Sequence, residues 1–184
     1  MKEHLQQSIS AETPEMVPVL SKEEIQKKIV SLARQISADY QNDRLLLIAV
    51  LKGAFIFLSD LVRQLTIPVE IDFIQLSSYG QSDSSCGDIR FCSDISSDIK
   101  GKNIIVVEDI IDTGLTITKL VAHLKSLGPK NVRVCVLIDK YERREIAFKA
   151  DYICHTVKNG FLVGYGLDYA ENYRNLPAIY DLKS

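Results

Sequence analysis

Along Ile104-Ile105-Val106-Val107-Glu108-Asp109-Ile110-Ile111-Asp112-Thr113-Gly114-Leu115-Thr116, carboxylates, hydroxyls and a glycine follow directly on an apolar run. The run reads as a strand buried on both faces that ends at two adjacent acids, after which a turn of Asp, Thr and Gly opens a helix. In an open parallel sheet, ligands sit beyond the carboxyl ends of the strands, and a helix N-terminus offers unpaired N–H groups and a partial positive charge. Such a turn suits a monoester phosphate, with Gly114 allowing close backbone approach and Thr113 and Thr116 supplying hydroxyls. Glu108 and Asp109 are poor neighbours for an anion unless they hold ribose hydroxyls or a hard cation such as Mg²⁺ that also binds the ligand. An acidic strand end followed by a capped helix is the other reading of the same residues.

The elements that must position this turn follow from hydrophobic period. Ser21 with Glu24 makes a capping box, and Ile25, Ile29, Leu32, Ala33 and Ile36 keep helical spacing to about Tyr40. Leu45 to Leu51 is a continuous apolar strand, Ala54 to Leu65 a helix, and Val69 to Leu76 an alternating strand. Ile104 to Glu108 is a second buried strand, Thr116 to Leu127 a helix stopped by Gly128-Pro129, and Val132 to Ile138 a third buried strand. Strands alternating with helices predict an α/β fold, a mostly parallel sheet covered on both faces. Residues 77–97 turn abruptly to Ser, Gly, Asp and Cys and read as one long loop, a mobile lid or a surface excursion.

With 184 residues, 46% apolar and 25% charged, the chain is expected to fold as one domain, 1–184, with 1–20 a polar N-terminal extension. The formal charge of −2 and the dispersal of the 22 basic residues disfavour nucleic acid or an anionic membrane as partner. No apolar run is long enough to span a bilayer, and the start lacks a signal-peptide layout, so a cytoplasmic address is expected. Cys86, Cys92, Cys135 and Cys154 form no CxxC pair and share no ligand spacing with His4, His123 and His155.

The segment from Ile104 to Thr116 resembles the phosphoribosyl pyrophosphate signature of the type I phosphoribosyltransferases: an apolar strand, two acids, two apolar residues, then one residue before Thr-Gly-x-Thr. Asp112 at the variable place is similar to the 6-oxopurine group, the hypoxanthine-guanine phosphoribosyltransferases of bacterial type. Leu51-Lys52-Gly53 looks like that family's pyrophosphate loop, Ser77-Ser78-Tyr79-Gly80 like the start of its lid, and Asp139-Lys140 like its base-recognition lysine. The stretch from Phe161 to Pro177 is similar to its C-terminal signature, and the likeness runs from about Glu23 to Leu182. The chain departs from it at Val157-Lys158-Asn159-Gly160, where bacterial members usually read Ile-Pro-Asp-Glu, and at Tyr141, where they often have Pro.

The resemblance implies a type I phosphoribosyltransferase-like sheet with a hood from the N-terminal and C-terminal segments, residues 156–184 contributing. It implies purine salvage: transfer of a phosphoribosyl group from phosphoribosyl pyrophosphate to hypoxanthine or guanine, giving IMP or GMP and pyrophosphate. Ribose phosphate would be held by Glu108, Asp109, Asp112, Thr113, Gly114, Leu115 and Thr116, and pyrophosphate by Leu51, Lys52, Gly53 and Arg174. The bond before Lys52 would be held cis or switched. Asp112 would be the general base, and Ser78 and Tyr79 would sit on the lid. Purine would meet Lys140, Phe161, Leu162 and Asp168, and Mg²⁺ would meet Glu108, Asp109 and Asp168. A homodimer or homotetramer is implied as well. Without the family match, Arg174 would read as a surface ion pair with Glu171, Asp168 as a helix cap and Phe161 as core. Two readings of other classes compete: a nucleic-acid-binding regulator that keeps this fold as a sensor, and a doubly wound domain for some other phosphate.

Overall fold

A computed structural model describes residues 14–78, 89–91 and 95–183 of the chain. The elements run β1 (Met16–Leu20), α1 (Lys22–Asp39), β2 (Leu45–Leu51), α2 (Phe55–Val62), β3 (Val69–Ser78), β4 (Ile89–Phe91), β5 (Asn103–Ile111), α3 (Leu115–Ser126), β6 (Asn131–Lys140), β7 (Tyr152–Val157), β8 (Leu162–Val163) and β9 (Ile179–Leu182).

The main sheet has the order β4-β3-β2-β5-β6-β7, parallel throughout except for β4, which runs antiparallel to β3. From β2 the chain moves outward to β3, then returns to lay β5 on the other flank of β2. The carboxyl ends of β2 and β5 therefore form a topological switch point, the crevice where open α/β sheets receive ligands. Alternation along these strands builds two core layers. Leu45, Leu47, Ala49, Ile105 and Val107 face α1 and α2, while Leu46, Ile48, Val50, Ile104 and Val106 face α3.

Local signals explain the helices. Ser21 Oγ accepts from the Glu24 N–H at 3.2 Å and Glu24 Oε2 accepts from the Ser21 N–H at 2.8 Å, the capping box expected for α1. Helix α2 stops at Val62 instead of Leu65. The chain tightens through Gln64 N–H to Leu61 O at 3.0 Å and Leu65 N–H to Val62 O at 3.4 Å, turning early enough for Val69 to pair with Leu45.

Three further expectations are corrected. β5 does not end at the acids: pairing continues through Glu108↔Val136, Ile110↔Ile138 and Ile111↔Asp139, because β6 runs beside it to Lys140. Residues 77–97 are not a loop throughout, since Ser77 pairs with Arg90 and Ser78 with Ile89, while 79–88 and 92–94 lie outside the described residues. The N-terminal extension is not merely polar: Met16–Leu20 is a strand, and β1-β9-β8 form a second sheet from the two ends of the chain. This sheet is the expected hood. It is anchored to the core by Leu20, Leu162, Tyr165, Leu167 and Ile179. Thr156 and Val157 pair with Asp139 and Lys140 in the main sheet, so the hood's share of the C-terminal segment begins beyond them.

Candidate active site

At the switch point a cavity of about 700 Å³ opens, lined from four directions. Leu51, Lys52 and Gly53 come from the end of β2, and the Leu51–Lys52 bond is cis. Glu108, Asp109, Asp112, Thr113, Gly114 and Thr116 come from β5 and the turn into α3, while Asp168 and Arg174 come from the C-terminal segment. Leu115 begins α3, its N–H donating to Thr113 Oγ1 at 3.3 Å. The sequence thus brings its phosphate, acid and pyrophosphate-loop candidates to one place.

Close packing makes this convergence specific. A Cβ on Gly53 would lie 1.6 Å from Asp109 Oδ2, and one on Gly166 would lie 2.1 Å from the Gly53 carbonyl oxygen. The β2 loop is therefore held between the acidic strand and the C-terminal segment with no room for a side chain. Gly114 is left-handed at φ 85°, and a Cβ there would press on Ile146 O at 3.0 Å. Gly114, the N-cap, has no side chain to cap α3, and of the first-turn N–H groups that of Leu115 is taken by Thr113 Oγ1.

Burial holds the Glu108 carboxyl well above the usual carboxylate range, and the adjacent Asp109 pushes it further. Asp109 is also raised by burial, against the pull of hydrogen bonds and of Arg174. Among the described residues no cluster of His, Cys, Asp and Glu forms a complete metal site. Asp168 is instead paired with Arg174 at 2.8 Å and accepts from the Glu171 N–H at 2.9 Å. Arg174 also donates to Gly166 O at 2.8 Å, and its Nε is buried without a partner. The ion pair of Arg174 with Glu171 does exist, at 3.4 Å, but it is the exposed end of a network in which Lys52 also reaches Glu171 at 3.0 Å.

Beside the cavity, Lys140 Nζ lies 2.9 Å from Asp112 Oδ2 and 3.3 Å from Gly160 O, its side chain only 10% exposed. The other Asp112 oxygen, Oδ1, is buried and has no hydrogen-bond partner. A buried carboxylate oxygen left free in this way is an acceptor waiting for a donor. Phe161, next to Gly160, is 51% exposed and stacks edge-on against Tyr169 at 5.3 Å, so it is not core. The Leu162 side chain is core, in β8 beside Asp181, which leaves only its backbone for a ligand. Of the expected lid residues, Ser78 is the last residue of β3 and Tyr79 lies outside the described residues.

Sequence reasoning missed Arg143, 3.7 Å from Asp112, and Arg144, whose guanidinium is spread over the ends of β5 and β6. It also missed Glu171 and Tyr169 as site neighbours. Arg143 and Arg144 follow Lys140 closely, and that adjacency was the available signal.

A family profile described as a phosphoribosyl transferase domain matches residues 19–170. The hypoxanthine-guanine phosphoribosyltransferase of Bacillus subtilis is 42% identical over 165 residues, covering 90% of this chain and 92% of the relative. A bifunctional protein TilS/HprT of Listeria innocua is also 42% identical, but the chain spans only 26% of its length. Among solved structures, a hypoxanthine-guanine phosphoribosyltransferase of Bacillus anthracis superposes with a TM-score of 0.87 at 44% identity, covering 92% of this chain and 99% of that one.

Proposed function

The chain belongs to the phosphoribosyltransferase family, and from that premise we propose that it is a purine-salvage enzyme moving a 5-phosphoribosyl group from phosphoribosyl pyrophosphate to hypoxanthine and guanine. The new bond joins purine N9 to C1 of the ribose, pyrophosphate departs from C1, and the purine gives up one proton. The observation that carries the reading is the Asp112–Lys140 pair at the mouth of the phosphate turn, with Asp112 Oδ1 unpartnered.

In this reading the α3 turn, with the hydroxyls of Thr113 and Thr116, binds the 5′-phosphate. Lys52 and Arg174 line the pyrophosphate side and oppose the charge that builds on the leaving group. Lys140 donates to the 6-oxo group, Phe161 stacks on the base, and Asp112 accepts the purine proton. Glu108 and Asp109 face the ribose hydroxyls.

The donor set suits Mg²⁺. Two adjacent, largely buried carboxylates hydrogen-bond with each other and accept from backbone N–H groups, Asp109 to Glu108 at 3.1 Å and Ile110 to Asp109 at 2.8 Å, and among the described residues neither forms a salt bridge with a cation. Mg²⁺ characteristically binds through one or two carboxylates plus substrate oxygens, which explains why no complete protein-only cluster is needed. Glu108, Asp109 and Asp168 would hold it, and it would supply positive charge to the pyrophosphate and ribose oxygens. Cytoplasmic location and assembly as a homodimer or homotetramer complete the proposal. No described helix is long and apolar enough to cross a membrane, and the described cysteines Cys135 and Cys154 are buried free thiols.

The test is pyrophosphate release from phosphoribosyl pyrophosphate with hypoxanthine, guanine or adenine as acceptor. Turnover with the two 6-oxopurines and little with adenine is expected. Release with none of them would overturn the reading.

A further inference from the structure

The last residues paired between β5 and β6 are Ile111 and Asp139. Asp112 and Lys140 lie one step beyond that pair, and Arg144 spans the two strand ends there. Its Nε donates to Asp112 O at 2.9 Å, and its Nη2 donates to Lys140 O at 2.9 Å and Ile111 O at 3.3 Å. Nη2 also pairs with Asp139 Oδ1, and Nη1 donates to Phe148 O at 2.7 Å. The side chain is only 14% exposed, and its donors go to carbonyls and a carboxylate of the chain, leaving it no evident part in binding substrate.

The segment that carries Arg144 also supports the phosphate turn. Glu145 and Ile146 both donate their N–H groups to Thr113 O, at 2.9 and 3.1 Å. The Cδ of Arg144 would be 3.2 Å from a Cβ built on Gly114. One side chain and its two successors thus bind the backbone of Asp112, Thr113 and Lys140 into a single body.

Resting on the functional reading above, we infer that Arg144 is a positioning residue. It sets the separation of Asp112 and Lys140 and ties that pair to the phosphate turn, so the purine and 5′-phosphate subsites are formed together. The pyrophosphate side, at Lys52 and Arg174, shares none of these hydrogen bonds. A planar guanidinium is required, because a lysine ammonium cannot span carbonyls on both strand ends with fixed geometry.

The experiment compares wild type with Arg144→Lys and Arg144→Met. Dissociation constants are measured by calorimetry for IMP, which fills both linked subsites, and for inorganic pyrophosphate, which fills neither, alongside steady-state kinetics with hypoxanthine. Both variants should weaken IMP by at least about tenfold, leave pyrophosphate within about twofold, and lower kcat as well as raising KM. Failure of Arg144→Lys to rescue separates a geometric role from simple charge. IMP affinity within about twofold of wild type in Arg144→Met would overturn the proposal. Equal weakening of IMP and pyrophosphate, or an Arg144→Lys protein that does not fold, would assign Arg144 to general stability and overturn it too. A wild type that turns over no 6-oxopurine would instead sink the functional reading, so the two failures are distinct.

Discussion

Replacing Lys140 by Met keeps most of the side chain's length and apolar stem but removes the ammonium. Two losses follow from its surroundings. First, on the proposed assignment, the donor to the 6-oxo group disappears. Lys140 is 10% exposed, so water cannot fully substitute, and a hydrogen bond to a charged group is worth about 1.5–3 kcal/mol. At about 1.4 kcal/mol per tenfold, kcat/KM for hypoxanthine should drop by about 10- to 150-fold. Second, Asp112 loses its 2.9 Å partner, leaving Arg143 at 3.7 Å as its other recorded ion pair, so the carboxylate is less well held and kcat falls along with affinity. Adenine should respond differently. Its 6-amino group offers no acceptor to the ammonium, so wild type should reject it, and the neutral Met side chain should remove that rejection. The assay is pyrophosphate release at saturating phosphoribosyl pyrophosphate with each base in turn. The ratio of hypoxanthine to adenine efficiency should fall by at least about tenfold, while affinity for phosphoribosyl pyrophosphate stays near wild type. A ratio kept within about threefold would remove Lys140 from base selection and refute the pocket assignment.

Asp112→Asn keeps the shape but cannot take the proton, so kcat with hypoxanthine should fall by about 10² or more while phosphoribosyl pyrophosphate binding, followed by calorimetry, changes little. Gly53→Ala would put a methyl 1.6 Å from Asp109 Oδ2, and stopped-time assays should find turnover reduced by more than about tenfold through displacement of the loop or the acid. Asp72→Ala should cost about 2–4 kcal/mol by urea titration, since Asp72 accepts from the N–H groups of Phe73 at 2.8 Å and Ser97 at 2.7 Å and from the Ser96 hydroxyl at 3.1 Å. Burial alone would raise the Asp72 carboxyl, but these bonds hold it below its ordinary value of 3.8. Its stabilisation is therefore complete above that value and lost as the pH falls through the lowered one, so wild type and Asp72→Ala should converge in acid.

The parallel sheet was legible because its central strands are buried on both faces, and Leu45–Leu51 needs no alternation to be recognised. The small strands of the hood were not. β8 has two residues and β9 four, each stabilised by partners distant in the chain, and neither length nor local period announces them. β7, with Tyr152 and Cys154 buried on one face, owes its place to β6. Within the candidate site, the proposed phosphate turn and acids could be singled out because they are contiguous in the chain. Arg144 offered only its closeness to Lys140 as a signal, since most of its acceptors are backbone carbonyls, which any sequence supplies.

The ion pairs of the site bear on selectivity. Lys52 is paired with Glu171, Arg174 with Asp168 and Lys140 with Asp112, so on the proposed assignment substrate must exchange partners with the chain's own carboxylates. The exchange is not equally easy. Lys52 and Glu171 are 57% and 65% exposed, and a pair of that kind contributes about 0–1 kcal/mol, which a multiply charged pyrophosphate can readily displace. Lys140 and Asp112 are far less accessible to water, and separating them without replacement partners would strand two charges in a poorly solvated place. A ligand that offers an acceptor to Lys140 and, beside it, an N–H to Asp112 satisfies both at once. On the proposed assignment a 6-oxopurine does this, whereas a 6-aminopurine presents donors to both and leaves the ammonium unsatisfied. Selection by the base subsite then comes from the difficulty of breaking a buried pair unevenly, and the Lys52–Glu171 pair of the pyrophosphate subsite, being exposed, adds affinity without discriminating between bases.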